Sequence, residues 1–229
     1  MSDSQHIEQI RVWQDPVPRS GEQNMAIDEL LMTSVSDLSV LRFYEWSEPT
    51  VSFGYFDKLA EAQKAFSDDE NLNYVRRWTG GGVVDHRIDL TYTLVIPKSH
   101  PLANLRGAES YRIIHEAVAS ALNDQGVDCK VIAENAGDGN AACFENPVAF
   151  DIVCDNGNKL AGAGQKRSRY GLLHQGSVVG VKASTQWQKY FLTALGSKMI
   201  DWSPSIDLLD ESVRLGEEKY KTKEWLTKR

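Results

Sequence analysis

After Ser20, the apolar residues Met25, Leu30, Leu31 and Val35 recur at roughly helical spacing, and Ser20 with Gln23 three places on forms a capping-box pattern. A first helix is expected from near Gly21. Two β-rich runs follow at 40–46 and 50–56, separated by Ser47-Glu48-Pro49, where the proline favours a turn; they are expected to pair with each other. A short helix over 58–66 precedes strands at 74–78 and 89–96, with Gly80-Gly81-Gly82 between them. The strongest helical pattern runs over 109–125: Ile113, Ile114, Ala117, Val118, Ala121 and Leu122 share one face, and Gly126 is placed to end it. A strand at 129–133 leads into a loop rich in glycine and asparagine at 135–140. Runs at 150–154 and 159–165 flank Asp155-Asn156-Gly157-Asn158, whose Asn-Gly pair suits a hairpin turn, so Lys159 opens the second strand. A strand at 172–181, a helix at 185–195 and a Lys/Glu-rich, largely solvated helix from Leu209 complete the chain. The expected class is α+β, a central mixed, largely antiparallel sheet flanked by helices, in a single domain over 1–229 with a helical tail over about 209–229.

Composition narrows the function without naming it. A length of 229 residues with 41% hydrophobic and 25% charged residues suits a globular chain with a substantial core. The net charge of −7 disfavours binding to phosphate backbones, so no nucleic-acid partner is expected. No apolar run approaches the ~18 residues that cross a bilayer, and the first ten residues are polar; no membrane association and a cytoplasmic location are expected. Cys129, Cys143 and Cys154 are odd in number and irregular in spacing, which fits neither a disulfide framework nor a metal site.

Two segments carry candidate chemistry. In Arg76-Arg77-Trp78-Thr79-Gly80-Gly81-Gly82-Val83-Val84-Asp85-His86, consecutive glycines let backbone N–H groups turn toward a carboxylate or phosphate; the alternative is a plain hairpin loop with surface arginines. In Gly157-Asn158-Lys159-Leu160-Ala161-Gly162-Ala163-Gly164-Gln165-Lys166-Arg167, a strand of alanine and glycine leaves a groove in which an acyl chain can lie against backbone.

The first segment, continued by Asp89-Leu90-Thr91-Tyr92-Thr93, closely resembles the signature of the lipoate-protein ligases and octanoyltransferases. The resemblance implies that Arg77, Gly80, Gly81, Gly82 and His86 line a pocket for an acyl group or acyl-adenylate. Arg87 stands where that family usually places an aspartate. The second segment is similar to the family pattern Gly-x-Lys-x-Ala-Gly-x-x-Gln-x-Arg, which implies an active-site role for Lys159 and pocket roles for Gly162, Ala163, Gly164 and Gln165. Leu173-His174-Gln175-Gly176-Ser177 matches a third family segment and adds His174, Gln175 and Gly176; a core histidine held by hydrogen bonds is the alternative for His174, and a turn-fixing histidine for His86. The likeness extends from about residue 20 to 180, through Asn24-Met25-Ala26-Ile27-Asp28-Glu29, Arg42-Phe43-Tyr44-Glu45-Trp46 and Gly54-Tyr55-Phe56. It implies the biotin/lipoate protein ligase-like fold.

Members of that family use two routes. Ligases activate the free acid with ATP and magnesium; octanoyltransferases need no cofactor and take a thioester from acyl carrier protein through an enzyme cysteine. Ala142-Cys143-Phe144-Glu145-Asn146-Pro147 resembles the Cys-Phe-x-x-Pro segment of the cysteine-dependent octanoyltransferases, which makes Cys143 the candidate nucleophile and leaves Cys129 and Cys154 as expected core residues. An inert buried thiol is the alternative for Cys143. A neighbouring Lys159 would favour the thiolate. The stretch after Gly180 is too short and too charged for the accessory domain that many ligases carry, while a separately encoded accessory domain, as some ligases of the family use, keeps the ATP-dependent route open. The implied acceptors are lipoyl-domain proteins, such as the glycine cleavage H protein or a 2-oxoacid dehydrogenase E2. Acidic partners would need a basic patch, for which Lys166, Arg167 and Arg169 are candidates. Burying an octanoyl tail of about seven methylene-type carbons at ~0.8 kcal/mol each contributes on the order of 5 kcal/mol. A lipoate- or biotin-binding module without turnover is the non-enzyme alternative.

Overall fold

The computed structural model describes residues 7–34, 37–69, 71–133, 148–180 and 185–228. Among these, eight strands form a mixed sheet in the order β11-β1-β2-β6-β10-β9-β8-β7. The strands are β1 (Gln9–Gln14), β2 (Ser39–Tyr44), β6 (Asp89–Pro97), β7 (Cys129–Val131), β8 (Ile152–Cys154), β9 (Lys159–Arg167), β10 (Gly171–Val179) and β11 (Lys198–Asp201). Only β1 pairs in parallel, with β11 on one side and β2 on the other; every other neighbour is antiparallel. The expected α+β class and largely antiparallel sheet are observed. A second, three-stranded sheet runs β4-β3-β5, from β3 (Thr50–Phe53), β4 (Asn73–Arg76) and β5 (Val84–Asp85); the short helix α2 (Leu59–Ala65) links β3 to β4, and α3 (Pro101–Asn104) follows β6.

The long central strands β6 and β10 are buried on both faces because helices cover both. On one side Tyr92, Leu94 and Ile96 pack against α4 (Gly107–Asn123) and α5 (Thr185–Ala194), with Ile113, Ile114, Ala117, Val118, Trp187 and Phe191 in the same core. On the other, Val40, Val95 and Leu173 meet Ile27, Leu31 and Met32 of α1 (Gly21–Ser34) and the edge of α6 (Ile206–Leu215). Ser20 Oγ accepts the Gln23 N–H at 3.3 Å, which is half of the expected capping box; the Gln23 side chain instead donates to Ser212 Oγ at 3.2 Å, tying α1 to α6.

Four expectations need correction. The runs at 40–46 and 50–56 do not pair with each other: β2 pairs with β1 and β6, whereas β3 joins the small sheet, because the turn at Pro49 hands the chain from one sheet to the other. The outer strands β1 and β11 were not expected. The chain end is less solvated than its charge suggests, since Tyr220 and Trp225 are buried against Met25, Ala26 and Val75, in a π-helical turn (Gly216–Tyr220) and α7 (Lys223–Leu226). Finally, Cys129 and Cys154 are half-buried opposite each other across β7 and β8; Cys129 packs against the edge of the main core rather than within it.

Candidate functional site

The two sheets face each other across a cavity. It encloses about 590 Å³ including its open mouth. One wall is the loop that leaves β4. Arg77 fixes it: Nη1 donates to Ser52 Oγ on β3 at 2.6 Å, and Nη2 donates to the Gly82 carbonyl at 2.6 Å. Arg76, next in the chain, points the other way and binds the carbonyls of Tyr55 and Asp57 (2.6 and 2.7 Å) and of Trp225, Leu226 and Lys228 (2.9, 2.9 and 3.0 Å). The two consecutive arginines are therefore buried loop anchors rather than surface charges.

The opposite wall is β9 and β10 in strict register, with Gly162, Ala163 and Gly164 opposite Ser177, Gly176 and Gln175. At its rim lies Lys159, whose Nζ is 2.8 Å from Asp151 Oδ2; the lysine side chain is 7% exposed and the aspartate fully buried, so Lys159 is not the solvated strand-start residue its position suggested. Asp151 is further held by the Tyr111 hydroxyl at 2.7 Å and the Val148 N–H at 2.9 Å, and the Tyr111 oxygen in turn accepts the Ala163 N–H at 2.9 Å. Burial first, and then the Asp151 charge, push the Tyr111 phenol well above its usual range, so it acts as a neutral donor. Phe150, at φ +72°, takes the left-handed conformation that turns the chain into Asp151, and its carbonyl is 2.7 Å from His115 Nδ1.

Behind both walls runs a buried polar network. Arg42 donates to Asp28 Oδ1 (2.9 Å), Asp15 Oδ2 (2.7 Å) and Asn24 Oδ1 (2.7 Å). Asp28 Oδ2 accepts from Thr93 (2.6 Å) and from Gln175 Nε2 (2.7 Å), and Gln175 Oε1 accepts from Thr79 Oγ1 (2.8 Å). This path runs from α1 through β10 to the glycine loop. Burial raises the Asp28 carboxyl above its usual range, and Arg42 with the donating side chains opposes that rise.

Of the residues marked in the sequence, Arg77, Gly81, Gly82, His86, Lys159, Gly162, Ala163, Gly164, Gln175 and Gly176 line this one cavity. Gly80, Gln165 and His174 lie outside its lining. His174 is fully buried, 3.1 Å from the Tyr92 hydroxyl and 3.0 Å from Gln165 Nε2, and burial followed by the His115 charge pushes it well below the usual histidine range. Cys143 lies outside the described residues. Cys129, with its thiol pushed up to about 11 by burial, is poorly suited to supply a thiolate. Arg87, in the place of the family's aspartate, turns to Asp85 and Asp69, while His86 takes its carboxylate from Asp89 at 2.8 Å. Lys166 stands over Trp78 at 4.6 Å, Arg169 over Tyr170 at 4.8 Å, and Arg167 binds Ser110 and Gln165. Sequence reasoning missed Asp151, Tyr111 and Ser52; none stands in a motif that was marked, and they become visible only when the strands are paired.

The family model of the lipoyl protein ligase A/B catalytic domain matches residues 20–203. Octanoyltransferases LipM of Halalkalibacterium halodurans and Carboxydothermus hydrogenoformans are 33% and 37% identical over 72% and 70% of this chain. Those alignments span 64% and 61% of the relatives' own lengths, somewhat under two thirds. A Thermoplasma acidophilum protein of the lipoate protein ligase type, solved with bound lipoic acid, superposes with a TM-score of 0.75 at 21% identity, covering 96% of this chain and 99% of that one. Lipoate-protein ligase A bound with ATP superposes at 0.74 with 20% identity, covering 96% and 98%. No helix among the described residues is long and apolar enough to cross a membrane. With the family model spanning most of its length and its walls built from that family's motifs, the chain belongs to the lipoyl protein ligase A/B catalytic-domain family.

Proposed function

We propose that this protein transfers an octanoyl or lipoyl group to a lysine of a lipoyl domain, taking it from acyl carrier protein as a thioester on Cys143. The observation that carries the reading is the Lys159–Asp151 pair at the rim of an apolar cavity, in a chain whose curated relatives are named octanoyltransferases. In the first half-reaction the Cys143 thiolate attacks the donor's thioester carbonyl, the donor's C–S bond breaks, and the carrier thiol leaves. In the second, the acceptor lysine's amine attacks the enzyme thioester and Cys143 is released. Lys159 has the charge and placement to stabilise the oxyanion in both steps, and Asp151 restrains it there. Gly162, Ala163, Gly164 and Gly176 leave room for the tail beside backbone, and Arg77 keeps Gly81 and Gly82 at the opposite side. Gln175 braces the glycine loop through Thr79, while Gln165 and His174 support β9 and β10 from behind. The acceptors are lipoyl domains such as the glycine cleavage H protein or an E2 component, reached in the cytoplasm, with Lys166, Arg167 and Arg169 as the basic docking surface. No cofactor enters this route.

Incubation with octanoyl–acyl carrier protein without ATP should leave one acyl adduct on Cys143, seen by intact-protein mass spectrometry and removed by neutral hydroxylamine. Cys143→Ala should lose both adduct and transfer; Cys129→Ala and Cys154→Ala should keep both at a packing cost of about 1 kcal/mol. The ATP-bound structural neighbour defines the competing outcome: no adduct, a requirement for ATP and magnesium, and full activity in Cys143→Ala would replace the thioester route by an acyl-adenylate.

A further inference from the structure

Beside the acyl-handling residues the cavity wall holds a second hydrogen-bonded line. Asp89 Oδ2 is 2.8 Å from His86 Nδ1, and His86 Nε2 is 2.6 Å from Ser52 Oγ. The order of protons follows from the partners. Asp89, as a carboxylate, can only accept, so His86 Nδ1 carries a hydrogen and donates it there; in the neutral ring Nε2 is then an acceptor. Ser52 Oγ, which takes the Arg77 Nη1 hydrogen on one lone pair at 2.6 Å, is placed to donate its own hydrogen to that nitrogen. Asp89 is fully buried and receives two more hydrogen bonds, from Ser177 Oγ at 2.6 Å and from Thr91 Oγ1 at 3.0 Å. Trp46 stacks on the imidazole with centroids 4.0 Å apart and planes 19° apart, and is itself fixed by Thr91 at 2.9 Å. The ring is thus held in plane, in one tautomer, with its basic nitrogen turned to a hydroxyl on the cavity wall. Both Ser52 and His86 line the cavity that Lys159 lines.

We infer that Ser52, His86 and Asp89 form the proton relay that activates the acceptor lysine. The inference rests on the acyl-transfer reading, which requires such a base: a lysine side chain, with an ordinary value of ~10.4, arrives as an ammonium and cannot attack until it loses a proton. Lys159 does not fill the role, because its own ammonium is engaged with Asp151. In the relay the acceptor ammonium gives one proton to Ser52 Oγ as Ser52 passes its own to His86 Nε2. The freed amine forms the C–N bond, the C–S bond to Cys143 breaks, and the amine's second proton goes to the departing thiolate. The products are the amide, the Cys143 thiol and an imidazolium facing Asp89, so charge and atoms balance. Ser52 touches the substrate; Asp89 is a positioning residue that fixes the tautomer and stabilises the imidazolium. The other charged groups around the ring are Arg77, through Ser52, and Asp85 and Arg87 on its own segment, which are paired with each other and with Asp69.

The test is single-turnover transfer from preloaded octanoyl-enzyme to an apo lipoyl domain, followed from pH about 6.5 to about 9.5 for wild type, Asp89→Asn and the smaller change Ser52→Ala. At neutral pH the rate should fall about 100-fold in Asp89→Asn and about tenfold in Ser52→Ala, within the range of general-base losses. Each deficit should shrink with rising pH, by up to about tenfold per unit, as hydroxide replaces the lost base. A deficit that stays constant with pH would mark a merely structural role and overturn the relay, as would an octanoyl ester on Ser52. If wild type loads only with ATP, the thioester route fails by itself, and the same profile from preformed acyl-adenylate tests the relay. A wild type that acylates no lipoyl domain overturns both.

Discussion

The two walls of the cavity are held by different physics. The loop wall leaves a short sheet, and side chains hold it: Arg77 grips Ser52 and Gly82 in front, and Arg76 grips six carbonyls behind, three of them at Trp225, Leu226 and Lys228. The strand wall needs no such grip, because β9 and β10 are fixed by a continuous ladder, and its distinctive residues are the ones that lack side chains. Where backbone pairing supplies rigidity, the sequence can give up side chains to make room; where it does not, it must supply long, multiply bonded ones. Substitutions should therefore act differently on the two walls.

The largest effect is expected at the charged rim of the strand wall. Lys159→Met removes the ammonium paired with Asp151 and should lower acyl transfer by about 10²–10³-fold. Because Asp151 is buried, the variant should also lose about 3 kcal/mol of stability, the lower end for breaking a buried pair, since Tyr111 and Val148 still donate to the carboxylate. Transfer assays beside urea melts separate the two losses. Near wild-type turnover in folded Lys159→Met protein removes this residue from the mechanism.

Gly164 and Gly81 compare the walls directly. A Cβ on Gly164 would collide with the Gly80 carbonyl oxygen and stand 2.6 Å from Thr79 Oγ1, so this glycine is where the ladder and the loop touch. Gly81 is at φ +93°, and its Cβ would have Arg77 Nη2 at 3.3 Å, Ala163 O at 3.6 Å and Gly164 Cα at 3.7 Å as its nearest neighbours, none of them a collision. Gly164→Val should push the loop off the strand and weaken octanoate or lipoate binding by about 100-fold, with a cost of a few kcal/mol from overpacking. Gly81→Val, opposed mainly by its backbone angle, should weaken binding by about tenfold and stability by about 2 kcal/mol. Isothermal titration of both variants decides the matter; a Gly81 variant that binds like the parent makes the triple glycine purely structural.

This contrast also explains what could be read from sequence. The ladder wall was legible, since the Asn-Gly turn and the small-residue strand place Lys159, Gly162 and Gly164 with no tertiary information, and the turn forms at Gly157 with φ +85°. The apolar face of α4 was legible for the same local reason. The pairing of β3 was not, because proline marks a turn without saying into which sheet the chain passes. β1 has a two-residue alternation, Ile10 and Val12 inward, that was overlooked in a polar segment; β11 is short and exposed and carries no such signal. Arg76 and Arg77 are visible as charges, but the burial of Arg76 depends on carbonyls 19 to 152 positions away and the placement of Arg77 on the Ser52 hydroxyl 25 positions away, which no local pattern contains. Ser52, Tyr111 and Asp151 are hidden in the same way, each given its role by a partner on another element.

The smallest expected effect distinguishes the walls by pH. Behind the strand wall His115 is fully buried, and desolvation pushes it down to about 4, with Asp151 partly opposing that shift. Its neighbour His174, whose ring centroid is 5.5 Å away, is displaced in the same direction. A histidine lowered in the folded state binds fewer protons there than in the unfolded chain. The stability it gives is complete above the unfolded value of 6.5 and is lost as pH falls from 6.5 toward 4, on the order of 3 kcal/mol for His115. Asp28, raised by burial behind the loop wall, works in the opposite direction, because protonation relieves it as pH falls. Urea midpoints of wild type and His115→Gln between pH 7.5 and 4.5 isolate the histidine. Glutamine can still donate to the Phe150 carbonyl but cannot titrate, so its stability should fall less steeply with acid, and equal slopes would show that the acid sensitivity arises elsewhere.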